Sequence, residues 1–396
     1  MKKDIKVVIG AGYGDEGKGL MTDYFTKEDR NCLVVLSNGG AQRGHTVTKG
    51  GIRHVFHHFG SGSLSGADTY LSPFYILNPM YFVREYEELV SCHREPAVFR
   101  DRSCIWTTPF DMMINQIAEE SRGDLRHGSC GAGIWETVVR SEKIHTPLDT
   151  FSGGGPAGAG DLRDYLREIR DCYLPGRLKE LGVDCLPEQW KGLIEDEGLI
   201  DHFIEDVFLM MEHTVPCGRE VIRPYDRIIF ENGQGLLLDR SRPDKKHTTP
   251  SNTGLENVAQ IIRDTGLSKC PVEVCYVTRT YLTRHGAGPF PGECRKEEIN
   301  PAMTDRTNMP NPFQGTLRYG IIDTARLMQG MITDFTKYAR NDPWDMTLAI
   351  THLNETDGKW NGNQAIREDI FRRAGVKRIY YSDGMTKETV REENRQ

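Results

Sequence analysis

One short run combines a lysine, two carboxylates and four glycines: Gly12-Tyr13-Gly14-Asp15-Glu16-Gly17-Lys18-Gly19. Glycines let backbone N–H groups turn toward an anion, and a helix opening at the end of the run adds positive potential. The string fits GxxxxGK, yet Gly19 stands where a phosphate loop normally carries the Ser or Thr that holds magnesium. A metal must then be ligated in another way. Asp15 and Glu16 offer one, because a carboxylate inside an anion cradle is unfavourable unless a cation or a proton transfer needs it. The alternative is a tight turn with incidental acids.

Three further runs carry chemistry. Asn38-Gly39-Gly40-Ala41-Gln42-Arg43-Gly44-His45-Thr46-Val47 is a second glycine-rich loop. Its His45 can act as a general acid or stabilise developing charge, because imidazole titrates near neutrality; in isolation it reads more readily as structural. Phe230-Glu231-Asn232-Gly233-Gln234-Gly235 brings an amide that both donates and accepts. Thr283-Arg284-His285-Gly286-Ala287-Gly288-Pro289-Phe290-Pro291 is a turn-forming string with an embedded arginine.

These runs need a scaffold, and the pattern predicts an α/β one. Ile5–Ile9 and Leu33–Leu36 read as buried parallel strands, with Leu20, Met21, Tyr24 and Phe25 at helical spacing between them. Strand, glycine-rich turn, helix, strand is how a doubly covered sheet begins. A helix is expected over residues 111–120, ending at Gly123, and residues 190–213 read as mostly helical. Ile228–Phe230, Val272–Val277 and Arg378–Tyr381 read as further strands. Gly153–Gly160 reads as a flexible loop with Asp161 as the N-cap of the helix that follows. We expect one domain over residues 1–396: a P-loop-like fold with a central, mainly parallel sheet and helical insertions.

The 396-residue chain is 38% hydrophobic and 27% charged, with a net charge of −7. That balance argues against a nucleic-acid-wrapping surface. No apolar run approaches the roughly 18 residues of a membrane span, and the start has no secretory signal pattern. The ten cysteines form no CxxC pair or zinc spacing, as expected of reduced thiols in the cytoplasm, a host's if the source is viral.

The strings GYGDEGKG, NGGAQRGHTV, FENGQGLLLD, TTPSN and TRHGAGPFP, in that order, resemble the adenylosuccinate synthetase family over nearly the whole chain. The resemblance implies a homodimeric, Mg2+-dependent ligase. In that family a triphosphate phosphorylates O6 of a 6-oxopurine nucleotide, and the amine of L-aspartate then displaces the phosphate. Carried over by position, Asp15 is the base at N1 and a magnesium ligand, and His45 stabilises O6. Gln234 contacts the O6 edge, and the Gly44 carbonyl completes the metal shell. Gly14, Glu16, Gly17, Lys18, Gly19 and Thr46 hold the triphosphate, with Asn354, Ser382 and Gly384 at its base. Gln42, Ser129, Cys130 and Thr249 hold the nucleoside monophosphate together with Asp15 and Gln234. Arg140 matches an arginine that reaches into the neighbouring subunit.

Two departures from the family pattern narrow the expectation. A T-K-x-D string that recognises guanine is here Thr351-His352-Leu353-Asn354. An amide can complement the donor N6–H2 and acceptor N1 of adenine, which favours ATP or dATP over GTP. The arginine-rich aspartate loop is reduced to Asn311-Pro312-Phe313-Gln314-Gly315-Thr316-Leu317-Arg318, leaving Gln314, Thr316 and Arg318 as candidate carboxylate holders. One lost arginine contacts the ribose 2′-OH in the family. Both changes resemble the bacteriophage deoxyguanylosuccinate (2-amino-2′-deoxyadenylosuccinate) synthases, which act on dGMP. The alternatives are an IMP- and GTP-using synthetase, a related ligase with another amine, and a catalytically dead nucleotide sensor.

Overall fold

Short, mostly apolar runs become strands buried on both faces. The computed structural model describes residues 3–28, 31–152, 156–303, 313–339 and 342–393. Its strands are β1 (Asp4–Gly10), β2 (Cys32–Leu36), β3 (His45–Lys49), β4 (Ile52–Phe56), β5 (Asp68–Leu71), β6 (Val98–Asp101), β7 (Val215–Cys217) and β8 (Arg227–Gly235). They continue with β9 (Val272–Arg279), β10 (Leu282–Arg284), β11 (Glu293–Cys294), β12 (Arg318–Gly320), β13 (Trp344–Thr351), β14 (Arg378–Ser382) and β15 (Val390–Glu392). Ten form one sheet in the order β15-β14-β13-β9-β1-β8-β2-β5-β6-β7, parallel throughout except for β15. Successive side chains point to opposite faces. Val8 and Val34 therefore enter one hydrophobic core, while Val7, Ile9, Leu33 and Val35 enter the other.

Helices cover both faces, as a parallel sheet requires. They are α1 (Lys18–Phe25), α2 (Pro79–Ser91), α3 (Pro109–Arg122), α4 (Ile134–Lys143), α5 (Pro156–Glu168), α6 (Leu174–Glu180), α7 (Glu188–Glu195), α8 (Glu197–Glu212), α9 (Glu256–Asp264), α10 (Lys296–Ile299), α11 (Thr324–Ala339) and α12 (Glu368–Arg373). The hairpin β3–β4 and the small antiparallel sheet β10-β12-β11 stand beside the main sheet. The fold is α/β with a mainly parallel central sheet, as expected.

Several boundaries differ from the expected ones. The helix expected over residues 111–120 begins at Pro109, because Thr108 and Asp111 form a capping box, and stops at Gly123. Asp161 is not an N-cap: α5 already starts at Pro156, so the expected loop is helical from there on, and residues 153–155 lie outside the described part. The stretch 190–213 is broken at Asp196, which caps α8 by accepting from Gly198 N–H. Glu231 to Gly235 do not follow a strand but form the end of β8 itself.

Candidate active site

Ligand sites in such sheets gather outside the carboxyl ends of the parallel strands. Here β1 runs into the phosphate loop, β2 into the Asn38–Gly44 loop and β9 into Arg279–Gly286, while Gln234 lies at the end of β8. Together they enclose a cavity of about 770 Å³. Of the residues expected to bind or react, Gly14, Asp15, Lys18, Gln42, Gly44, His45, Thr46, Ser129, Cys130, Gln234, Thr249 and Gln314 line it.

The phosphate loop bends through left-handed backbone at Gly14 (φ 110°), Asp15 (φ 62°) and Gly17 (φ 91°). For Asp15 that conformation is strained, and its neighbours hold it there. Arg279 Nε donates to its carbonyl, and His285 Nε2 lies 3.2 Å from its carboxylate. Burial would raise the Asp15 carboxyl, but His285, Arg279 and Lys18 overcome it and hold the group well below the usual carboxylate range. Asp15 is therefore ionised, and its side chain keeps a quarter of its surface open.

Glu16 behaves differently. Its side chain folds beneath the loop and accepts from Gly12 N–H (3.1 Å), Gly14 N–H (2.8 Å) and Lys18 Nζ (2.6 Å). It thus occupies donors that sequence alone would assign to phosphate. Gly19 has a steric reason for being glycine: a β-carbon there would lie 3.0 Å from the Thr46 carbonyl and 3.1 Å from His45 Cβ. The close approach of α1 to β3 crowds any β-carbon there, and with it the hydroxyl that usually holds magnesium.

His45 is aimed by Glu231, a residue the sequence did not single out. Its Nδ1 is 2.6 Å from Glu231 Oε1, which also receives Arg43 Nη2 at 3.0 Å and the Ser61 hydroxyl; Oε2 accepts from Ser61 N–H at 3.0 Å. Burial would raise the Glu231 carboxyl, yet Arg43 and His45 hold it low. Burial and the Arg43 charge pull His45 down to about 4, against the opposing pull of Glu231. At neutral pH the ring is uncharged, with Nδ1–H on Glu231 and the Nε2 lone pair left for the cavity. A carboxylate directly after the apolar run Ile228–Phe230 was the available signal for Glu231.

Gln234 also has a left-handed backbone (φ 56°). Among the described residues, Gln234 Oε1, both amide atoms of Gln42, Arg43 Nε and Nη1, Thr249 Oγ1 and Arg284 Nε are buried without a protein partner. Such orphans are costly. Their residues all line one cavity, which suits it to a polar, partly anionic ligand.

Other expected residues are placed elsewhere. Arg140 is 1% exposed, with Nε 2.8 Å from Asp111 Oδ1 and Nη2 2.6 Å from the Trp106 carbonyl. It locks α4 to α3, so the expected reach into a neighbouring subunit is corrected: its donors already serve its own fold. Arg318 is clamped by Glu293 (2.8 and 2.6 Å) and bonds the Gly286 and Gly288 carbonyls, outside the cavity lining. Thr316 is exposed, and Asn311 and Pro312 lie outside the described residues. Gly17 packs on Thr351 at the end of β13. Asn354 is exposed just beyond that strand, and Ser382 bonds within its own loop to the Gly384 carbonyl, at the end of neighbouring β14.

For magnesium the donors fit. Asp15 is an ionised, accessible carboxylate, and Gly44 lies exposed on the same cavity wall. Mg2+ is commonly held by one or two carboxylates with substrate phosphates and water. Among the described residues no group of three or more His, Cys, Asp or Glu could hold a metal ion by itself.

The sequence model of the adenylosuccinate synthetase family matches residues 7–145 and 188–336. The chain belongs to the adenylosuccinate synthetase family. Adenylosuccinate synthetase of Microcystis aeruginosa is 30% identical over 308 residues, covering 76% of this chain and 64% of that protein. The Acetivibrio thermocellus adenylosuccinate synthetase is 27% identical over 371 residues, covering 89% and 78%. The match thus spans just under two thirds of the Microcystis protein. Among solved structures, fully ligated adenylosuccinate synthetase of Plasmodium falciparum superposes with a TM-score of 0.72 at 15% identity, over 99% of this chain and 100% of that one. Succinoaminodeoxyadenylate synthetase of cyanophage S-2L, bound to dGMP and dATP, gives 0.63 at 15% identity, over 99% and 96%. At that identity the likeness concerns the fold.

Proposed function

We propose that the protein, one domain spanning residues 1–396 and acting as a cytoplasmic homodimer, joins L-aspartate to C6 of dGMP while ATP or dATP is hydrolysed. The product is 2-amino-2′-deoxyadenylosuccinate, for diaminopurine nucleotide synthesis. One observation carries the reading: Asp15, the His45–Glu231 pair and Gln234 converge on a single cavity beside the phosphate loop. A lactam oxygen is a weak nucleophile until the N1 proton leaves. Asp15 takes that proton, negative charge moves to O6, and O6 attacks the γ-phosphorus as the diphosphate leaves. Asp15 is a weak base because of its cationic neighbours, so proton removal and phosphoryl transfer are closely coupled. The anionic triphosphate raises the proton affinity of His45, whose imidazolium, backed by Glu231, then stabilises charge at O6. Gln234 donates its amide to the same edge. In the second half the aspartate amine attacks C6, loses a proton, and phosphate leaves with O6.

Mg2+, held by Asp15 and the Gly44 carbonyl, would neutralise charge on the transferring phosphoryl group. Lys18 and the loop amides hold the phosphates once Glu16 yields them. Ser129, Cys130, Gln42 and Thr249 bind the monophosphate substrate. Gln314 is the aspartate-loop residue that already faces the cavity. Arg318 joins it by exchanging Glu293 for a substrate carboxylate, with Thr316 beside it.

The preference for dGMP and an adenine triphosphate is supported by Asn354, by the thinned arginine loop and by the cyanophage enzyme's ligands. A second reading, IMP with GTP, is favoured by the names of the bacterial relatives. Aspartate-dependent phosphate release, measured with dGMP or IMP against ATP or GTP, separates them. Turnover confined to IMP and GTP refutes the first reading, and nucleotide binding without turnover refutes both.

A further inference from the structure

The proposed reaction leaves His285 unused, although this residue lines the cavity and touches Asp15. It directly follows β10, in a segment that grips the tip of the phosphate loop residue by residue. Arg279 Nε donates to the Asp15 carbonyl, and Thr283 Oγ1 donates to the Gly14 carbonyl at 3.3 Å. The Arg284 guanidinium lies over the Tyr13 ring, 4.7 Å from its centroid. His285 adds a contact to the carboxylate itself, with Nε2 standing 3.2 Å from Asp15 Oδ2. An ionised carboxylate can only accept, so Nε2 carries a proton and donates it. That bond is the same in the neutral and the charged ring.

The ring projects from a braced backbone. Arg284 Nη1 donates to the Pro289 carbonyl (2.6 Å), and Nη2 donates to those of Ala287 (2.9 Å) and His247 (3.1 Å). Gly286 sits so close to Gly128 that a β-carbon would lie 2.5 Å from the Gly128 carbonyl oxygen. Ala287 N–H donates to the His127 carbonyl at 3.2 Å. The Asp15 carboxylate, by contrast, turns about a terminal torsion with a broad, roughly two-fold profile. A fixed donor on Oδ2 removes that freedom. In the main sheet β1 lies between β9, whose continuation carries His285, and β8, which carries Gln234. In strand order the hold therefore comes from the flank opposite the group assigned to O6.

We propose that His285 is a positioning residue: by donating to Oδ2 it sets the orientation in which Asp15 meets N1 of the 6-oxopurine. The proposal rests on the proposed role of Asp15 as the base at N1. The proton still passes from N1 to Asp15, and His285 neither gives nor takes one. Misplacing a reacting group by about 1 Å can cost about 10²-fold in rate, so the hold acts on the chemical step more than on nucleotide binding.

The test uses full-length His285→Ala, His285→Leu and His285→Gln enzymes. Glutamine keeps an N–H donor at similar reach, leucine keeps bulk without a donor, and alanine keeps neither. Steady-state kcat and KM are measured with dGMP or IMP, whichever the wild type turns over. The first half of the reaction is followed without aspartate, as scrambling of an isotope-labelled β,γ-bridging oxygen of the triphosphate. His285→Ala and His285→Leu should lower both kcat and the scrambling rate by about 10- to 100-fold, the effect of one hydrogen bond to a charged group. His285→Gln should recover most of that loss, and KM for the nucleotides should stay close to wild type in all three. Leucine and glutamine variants alike in rate, whether both fast or both slow, overturn the role of the donor. So does a scrambling rate that His285→Ala and His285→Leu leave unchanged. Those results keep the proposed reaction standing, whereas a wild type that turns over neither nucleotide overturns the reaction itself.

Discussion

Replacing Glu231 by glutamine tests how the imidazole of His45, catalytic in the proposed reaction, is held. The carboxylate is fully buried and receives His45 Nδ1 at 2.6 Å, Arg43 Nη2 at 3.0 Å, Ser61 N–H at 3.0 Å and the Ser61 hydroxyl. An amide of the same shape has one acceptor atom in place of two. Its NH2 must therefore face a donor, either Ser61 N–H or the His45–Arg43 pair. The buried Arg43 charge also loses its counter-ion, and breaking such a pair costs about 3–5 kcal/mol. Without an anchored Nδ1–H the imidazole loses its orientation and the charge that supports its protonated form. Acid–base groups of this kind contribute about 10²–10⁴ in rate, so a kcat loss of at least about 100-fold, or roughly 2.7 kcal/mol, is expected. KM for the nucleotides should change far less, because the phosphate loop is untouched. Steady-state kinetics and urea denaturation report the two effects separately. Glu231→Asp, which keeps the charge but shortens the reach, should recover more stability than turnover. A Glu231→Gln enzyme with kcat within threefold of wild type and an unchanged urea midpoint would refute the reasoning.

Gly19→Ser restores the hydroxyl of an ordinary phosphate loop, yet its β-carbon would sit 3.0 Å from the Thr46 carbonyl. Overpacking predicts a loss of about 1–3 kcal/mol in urea denaturation and weaker turnover; wild-type stability with tighter magnesium binding would contradict it. Asp15→Asn is sterically mild, since asparagine tolerates positive φ. Nucleotide binding by calorimetry should persist while phosphate release falls at least about 100-fold, and near-normal rates would remove Asp15 as the base. Burial raises the Asp334 carboxyl to about 6 in the fold, from an ordinary 3.8, despite its bonds to Leu255 N–H and the Tyr276 hydroxyl. Between those values the folded state binds a proton that the unfolded chain has released, so this group's contribution to stability is lost as pH rises from about 4 to 6. Asp334→Asn should flatten that slope and stabilise the protein at pH 7 by up to about 3 kcal/mol, read from urea midpoints across pH; an unchanged slope would contradict the assignment.

Local chemistry announced much of this protein before any fold was known. Gly14, Asp15, Gly17 and Lys18 read as a modified phosphate loop because glycine density, a lysine and misplaced acids are properties of neighbouring residues. The short apolar runs at Ile5–Ile9, interrupted only by Lys6, and Leu33–Leu36 implied a buried parallel sheet for the same reason. The pairing of His45 with Glu231 was invisible, since it joins residues 186 positions apart, one on the hairpin strand β3 and the other on β8 of the main sheet. So were the fates of Arg140 and Arg318, each neutralised by a distant carboxylate, Asp111 or Glu293. A charged side chain read in sequence shows what it can offer. Whether the offer remains open depends on which opposite charge the chain brings within 3 Å, and only tertiary packing decides that.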